Sequence, residues 1–490
     1  MQSLELLTLS ATELAARIRR RELSSLSVVD AHIERIQAVN TGLNAVVADR
    51  FAAAREEARA ADARVLEGGA LPPLWGVPCT IKEAFALQGM PNTSGLVSRR
   101  GPLAEIDAVG VRRLRAAGAI PLGVTNVSEL CMWMESQNKV YGRTRNPYDA
   151  RCTAGGSSGG EGAIVGSGGS PFGLGSDIGG SIRMPAFFNG VFGHKPSGGL
   201  VDGTGQYPLP TGGALRYVTT GPLARRAEDL FPLLRILAGP EASIQDPAEV
   251  DLARLEVVSV EDNGALRVAP ELVRAQRRAA EALQKRGARL RTARIRGLED
   301  TFEIWSAMLD AEQGPSFSSL LGGGTEIRAG RELGRWALGR SPHTLPALGL
   351  ALLEKLPRLV PSRGRRMVEA GMRLRDELTE VIGPHGVMLY PSYPTTAPRH
   401  LKPLWPPFNW VYTALFNVML LPATQVPLGL GAGGLPLGVQ AASTHGNDAR
   451  TIAVALELER AFGGWVPPWL AGRPPLPGEI TTESRRHGEV

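Results

Sequence analysis

From Thr153 to Ala186 the chain reads TAGGSSGGEGAIVGSGGSPFGLGSDIGGSIRMPA, and no other stretch restricts its fold so strongly. Glycine weakens helices and strands and loses more entropy on folding than any other residue, so this density implies that backbone must come close to something else. Two serine-bearing turns stand out, Gly155 to Gly160 (GGSSGG) and Asp177 to Arg183 (DIGGSIR). In the second, small residues precede Ser181, so the N–H groups of Ile178, Gly179, Gly180 and Ser181 are expected to converge on one point. A main-chain oxyanion hole is built in this way.

A solvated linker is a poor description, because Ile164, Val165, Phe172, Leu174 and Ile178 interrupt the run. A phosphate cradle also fits poorly. No GxxxxGK[ST] occurs, and Gly173-Leu174-Gly175 leads to Ile178 where GxGxxG needs its third glycine. A serine nucleophile needs a base, usually histidine. The chain has seven histidines, His32, His194, His343, His385, His400, His445 and His487, none in a recognisable triad motif, and it has no GxSxG elbow. His194, in GVFGHKPSGG, reads better as a hydrogen-bonded structural residue than as a base. Lysine can substitute if burial lowers its pKa, and Lys82 ends the short apolar run WGVPCTIK. Bringing a lysine from about 10.4 to near 7 costs about 4 to 5 kcal/mol, so the fold must hold it firmly.

With GVPCTIKE, GGSSGGEG and GSDIGGSIRMPA in this order and spacing, the chain resembles the amidase signature family. The likeness continues through GHKPSGG, YPSYPTTAP, LPATQVPLGL, GGLPLGVQ and HGNDARTIAVALELERAFGGW, and covers residues 8–466. Within the family it is most similar to the fatty-acid amide hydrolases, type 2 branch, through KEAFALQGMPNTSGL, RMPAFFNGVFGHKPS and LPALGLALLEKL. The resemblance implies Ser181 as nucleophile, Ser157 as a bridging serine on a cis peptide, Lys82 as base, and an oxyanion hole from Ile178, Gly179, Gly180 and Ser181. Their neighbours Ser158, Ser176, Asp177 and Arg183 are expected in supporting roles. Asp177 and Arg183 are expected to pair or to bond the loop backbone, and Ser158 and Ser176 to bond Lys82 or to serve as turn residues. Met134, Gly155 and Gly156 are expected at the substrate, although a methionine equally fills core gaps. No metal or organic cofactor is expected.

The fold implied is α/β, one α/β/α domain over residues 1–490 with a twisted mixed sheet covered by helices, although length alone suggests about three domains. Its expected parts are N-terminal helices (8–70), a signature core (71–235), a variable substrate-entrance region (300–380) and the C-terminal part of the core (385–466). Ser10-Ala11-Thr12-Glu13 fits a capping box, Val29, Ile33 and Ile36 form an apolar stripe, and 52–66 reads as an alanine-rich helix. A strand over 255–260, a helix over 270–285 and a strand over 290–295 read as a β-α-β unit. In the variable region Trp305, Met308, Phe317, Leu320, Trp336, Leu345, Leu348 and Leu352 line an acyl channel or form helix cores, core being the simpler reading for each.

The stretch 345–360 is broken by Pro346, Glu354, Lys355, Pro357 and Arg358, too short and polar to span a bilayer. Beside Arg358, Arg363, Arg365 and Arg366 it could rest on an anionic membrane surface, with a solvated basic face as the simpler alternative. Net charge is +6 with dispersed arginines, so nucleic acid is not an expected partner. The opening MQSLELLTLSATEL has no basic n-region and lacks the N-terminal span implied by type 2 relatives, so a cytoplasmic protein with at most peripheral membrane contact is expected. Cys79, Cys131 and Cys152 have no zinc spacing and fit a reducing compartment. The expected partner is a small-molecule amide, and the expected state a monomer or homodimer. Three rival readings remain: a glutamine amidotransferase subunit acting with partners on misacylated tRNA, which typically reads DTGGSIRQPA where this chain has DIGGSIRMPA, a general amidase for short or aryl amides, and a non-catalytic binding protein on the same scaffold.

Overall fold

The computed structural model describes residues 3–312, 314–354 and 361–471. Its strands are β1 (Val46–Asp49), β2 (Pro78–Lys82), β3 (Ile120–Thr125), β4 (Gln137–Asn138), β5 (Gly142–Arg143), β6 (Phe172–Asp177) and β7 (Phe192–Lys195), followed by β8 (Thr219–Ala224), β9 (Glu256–Ser259), β10 (Arg289–Thr292), β11 (Gly386–Tyr390), β12 (Ala423–Leu430) and β13 (Pro436–Ala442). All but the β4–β5 pair join one mixed sheet of 11 strands, in the order β1-β3-β2-β6-β8-β7-β12-β13-β11-β9-β10. Helices flank this sheet, and the chain forms the single α/β domain expected.

The central strands β2, β3 and β6 are short and buried at every position, as strands covered on both faces must be. β2 runs parallel to β6, with Thr80 opposite Gly173 and Ile81 opposite Leu174. Their C-terminal residues, Lys82 and Asp177, therefore emerge at the same edge of the sheet, where open α/β folds place their ligands.

The N-terminal helices follow from their sequence. Ser10 caps Ala11–Arg19 by accepting from Glu13 N–H at 2.9 Å, while the Glu13 carboxylate turns to Arg17 instead of completing the box. Val29, Ile33 and Ile36 are all buried on the helix Ser25–Leu43, and the next helix is Phe51–Glu67. The β-α-β unit consists of β9, the helix Pro270–Lys285 and β10, with the strands parallel at one edge of the sheet. Pro270 at the helix start and a strongly amphipathic pattern make that helix easy to delimit.

The variable region divides. Trp305, Met308, Phe317 and Leu348 are buried, whereas Trp336 and Leu352 are 36% and 44% exposed and belong to no core. Among the described residues no helix is long and apolar enough to cross a membrane. Lys355, Pro357 and Arg358 lie outside the described residues.

Candidate active site

Lys82 is fully buried at the end of β2, with Nζ 2.7 Å from Ser157 Oγ and 2.9 Å from Ser176 Oγ. Burial pushes its pKa below the ordinary lysine value, against the weaker pull of nearby Cys131, Asp177 and Glu161. The next residue fixes the strand end: Glu83 accepts from Thr93 N–H (2.6 Å), Thr93 Oγ1 (2.7 Å), Ser94 N–H (2.8 Å) and Tyr141 Oη (2.8 Å). Beneath the site, Glu161 accepts from Thr80 Oγ1 at 2.6 Å and Thr125 Oγ1 at 2.8 Å, and burial raises its pKa to about 8.

The turn carrying Ser157 is held by close backbone approach. The Gly156–Ser157 peptide is cis. A Cβ on Gly156 would lie 2.4 Å from the Trp133 carbonyl oxygen and 2.9 Å from the Met134 carbonyl carbon, so only glycine fits there. Ser136 Oγ donates to the Ser157 carbonyl at 3.1 Å and accepts from Gly159 N–H at 2.8 Å. The two serine-bearing turns meet where Ser158 N–H donates to the Ser181 carbonyl at 3.3 Å. Of the two supporting hydroxyls, Ser176 reaches Lys82, whereas Ser158 Oγ donates to the Ser176 carbonyl at 3.4 Å.

Ser181 is 7% exposed and follows a loop organised by Asp177. The Asp177 carboxylate accepts from Gly180 N–H (2.6 Å), Ile182 N–H (3.0 Å) and Arg183 Nε and Nη2 (3.1 and 3.0 Å). Burial, the largest single influence, pushes its pKa up, but the charge and hydrogen bonds of Arg183, the Lys195 charge and the Ile182 N–H together bring it down to about 2. Arg183 reaches on to Gln440 Oε1 (2.9 Å) and Asn417 Oδ1 (2.7 Å), which no local pattern in the sequence foretells.

This geometry corrects one expectation. Gly180 N–H points to Asp177, not to the common point, because a buried carboxylate has a strong claim on a neighbouring donor. Among the described residues the N–H groups of Ile178, Gly179 and Ser181 have no such partner.

His194 is buried between Thr424 Oγ1 (2.8 Å) and Asp448 Oδ1 (3.2 Å), in the structural role that its context suggests. Met134 is buried and receives a hydrogen bond from Tyr393 Oη at 3.8 Å on its sulfur. Cys79, Cys131 and Cys152 are all buried. Among the described residues no cluster of three His, Cys, Asp or Glu side chains could hold a metal ion.

The Amidase family profile matches residues 27–452. This chain belongs to the amidase family. It is 48% identical over 482 residues to fatty-acid amide hydrolase 2-A of Danio rerio, covering 94% of this chain and 90% of that one. To fatty-acid amide hydrolase 2 of Homo sapiens it is 46% identical, covering 94% and 91%. Its fold matches that of a bacterial aryl acylamidase of the amidase signature family, with a TM-score of 0.79 at 24% identity over 95% of this chain and 99% of that one. The amidase is thus an amide-hydrolysing enzyme, and its lysine–serine cluster lies at the sheet edge that α/β folds use for ligands.

Proposed function

We propose that this amidase hydrolyses linear, mainly apolar carboxylic amides, fatty-acid amides foremost, through an acyl-enzyme on Ser181. The observation that carries the reading is a fully buried Lys82 whose Nζ lies 2.7 Å from Ser157 Oγ. A lysine kept neutral there accepts the Ser157 proton while Ser157 Oγ takes the proton of Ser181, and Ser181 Oγ attacks the amide carbonyl. The tetrahedral oxyanion is met by the open amides of Ile178, Gly179 and Ser181. On collapse the C–N bond breaks and the leaving amine takes the proton back through Ser157 from Lys82. Water, deprotonated by the same relay, then releases the acid. Asp177 and Arg183 hold the loop and do not touch substrate.

The substrate class is supported by the extended similarity to the two fatty-acid amide hydrolase 2 proteins. The test is hydrolysis of primary amides and ethanolamides from acetyl to oleoyl, with Ser181→Ala as control. A kcat/KM that rises with acyl length is expected. Preference for short or aryl groups would make it a general amidase, and glutaminase activity appearing only with an added partner would overturn the reading in favour of an amidotransferase subunit.

A further inference from the structure

We propose that Trp305, on a helix of the variable region, is a positioning residue for the oxyanion-binding amides. This rests on the reading of Ser181 and its loop given above. After β6, three consecutive carbonyls are each held by a side chain from distant sequence. Asp177 C=O accepts from Asn417 Nδ2 at 2.9 Å, Ile178 C=O from Trp305 Nε1 at 2.9 Å, and Gly179 C=O from Thr413 Oγ1 at 2.8 Å. Thr413 and Asn417 lie four residues apart on the helix Val411–Val418 and so share a face. Trp305 comes from the helix Thr301–Asp310, which packs against that helix, and its ring meets Trp410 edge-on at 4.7 Å. Together they form one wall behind the loop.

The Ile178–Gly179 peptide is trans, so its C=O and N–H point in opposite directions. Fixing the Ile178 carbonyl on the indole therefore turns Gly179 N–H away from the wall. That N–H has no partner among the described residues, whereas the next one, Gly180 N–H, is held by Asp177. Gly179 and Gly180 are also the most permissive backbone in the loop, with Gly180 at φ +117°. A Cβ on Gly180 would lie 1.9 Å from Thr413 Oγ1, and one on Gly179 3.3 Å from the Trp410 ring. The wall thus supplies the restraint that glycine lacks. Thr413 divides one hydroxyl proton between Gly179 C=O and Trp410 C=O (2.9 Å), while the Trp305 N–H has a single acceptor and its side chain is largely shielded from water. Trp305 is therefore the donor dedicated to orienting Gly179.

The experiment replaces only the donor. Trp305→Phe keeps a ring against Trp410 and removes the N–H, and 3-benzothienylalanine at position 305 does the same with the indole shape retained should the phenylalanine variant fold poorly. Either is measured for kcat, KM and inhibition by a trifluoromethyl ketone matching the acyl chain, which forms a tetrahedral adduct with the nucleophile. We expect kcat to fall by about 10- to 100-fold, the ketone Ki to rise by the same factor, and KM to change by less than about threefold. Unchanged kcat and Ki, or a rise in KM alone, would overturn the inference, the latter making Trp305 a channel wall. Turnover surviving in Ser181→Ala overturns the mechanism as well. Turnover lost there but kept in full by the Trp305 variants overturns this inference only.

Discussion

Two buried lysines end strands of the same sheet, Lys82 on β2 and Lys195 on β7, and burial lowers the pKa of both. What separates them is the atom each one touches. Lys82 faces the hydroxyls of Ser157 and Ser176, which can accept a proton and pass one on. Lys195 Nζ donates at 2.7 Å to the Pro196 carbonyl, which only accepts. Its neighbours are equally fixed. Asp448 accepts from Ser197 N–H (2.8 Å), Ser197 Oγ (2.5 Å) and His194 Nε2 (3.2 Å). Burial works against ionising Asp448, yet these bonds hold its pKa below the usual carboxylate value. The serine and the histidine here both end on the Asp448 carboxylate, so the cluster clamps β7 to the helix Asp448–Phe462 and has no onward acceptor for a relay. A buried amine acts as a base only when the next atom can hand a proton onward.

The largest contrast is expected between the two serines. With Ser181 as the proposed nucleophile, Ser181→Ala should reduce amide turnover by about five orders of magnitude, the scale for removing such a group. Ser197→Ala leaves kcat within about threefold and instead lowers stability by about 1–3 kcal/mol, because it opens the bonds to Asp448 and Gly446 N–H. Parallel assays and thermal melts decide it. Comparable losses of kcat in both variants would remove the distinction between relay and clamp.

The lysines sharpen the comparison through pH. Lys82→Ala should lower kcat by about three to five orders of magnitude, with Ser157→Ala between it and Ser181→Ala. In the proposed mechanism the neutral amine is the active form, so kcat/KM of the wild type is expected to rise with pH along a limb centred below the ordinary lysine pKa, and Lys195→Met to retain that limb. Stability reports on Lys195 itself. It titrates near 7 in the fold, against 10.5 as the ordinary value. Between those values the unfolded chain binds more protons, so stability rises with pH across that window and is level below 7 on this account. Lys195→Met should flatten the part of the slope that Lys82, shifted in the same direction, does not supply. Loss of the activity limb in Lys195→Met would make Lys195 the base.

Much of this was legible because the chemistry sits in short runs. The serines of GGSSGG and DIGGSIR and the lysine of CTIKE each announce themselves through glycine or an apolar approach. Pro270–Lys285 could be delimited from its proline and its period, while each strand around it came out two residues shorter than expected, and the second began one residue early. Local reading failed where a side chain claims a backbone group. Nothing in DIGGSIR says that Asp177 takes the Gly180 N–H. Arg183 meets Asn417 and Gln440 across 234 and 257 residues, and Trp305 meets Ile178 across 127. Such contacts depend on how helices dock onto the sheet, and no local periodicity encodes that docking.

Glu161 was missed for the same reason, although the glycine opposite it was a signal. A Cβ on Gly173 would lie 1.7 Å from Glu161 Oε2, so the strand must be bare there to admit the carboxyl. Glu161 tests the comparison at its smallest scale, because it is a buried titratable group below Lys82 whose bonds go to Thr80 and Thr125 and not to the serines. With a pKa of about 8 in the fold against 4.5 ordinarily, the folded state binds more protons between those values. Stability from this group therefore declines as pH rises through that window and is level above it. Glu161→Gln, neutral throughout, should abolish that decline while changing kcat at neutral pH by less than about threefold. If instead the activity limb moves by more than about one pH unit, charge on Glu161 is setting the protonation of Lys82. In that case a group need not touch the relay to belong to it, and the line drawn between the two lysines would have to include what lies beneath them.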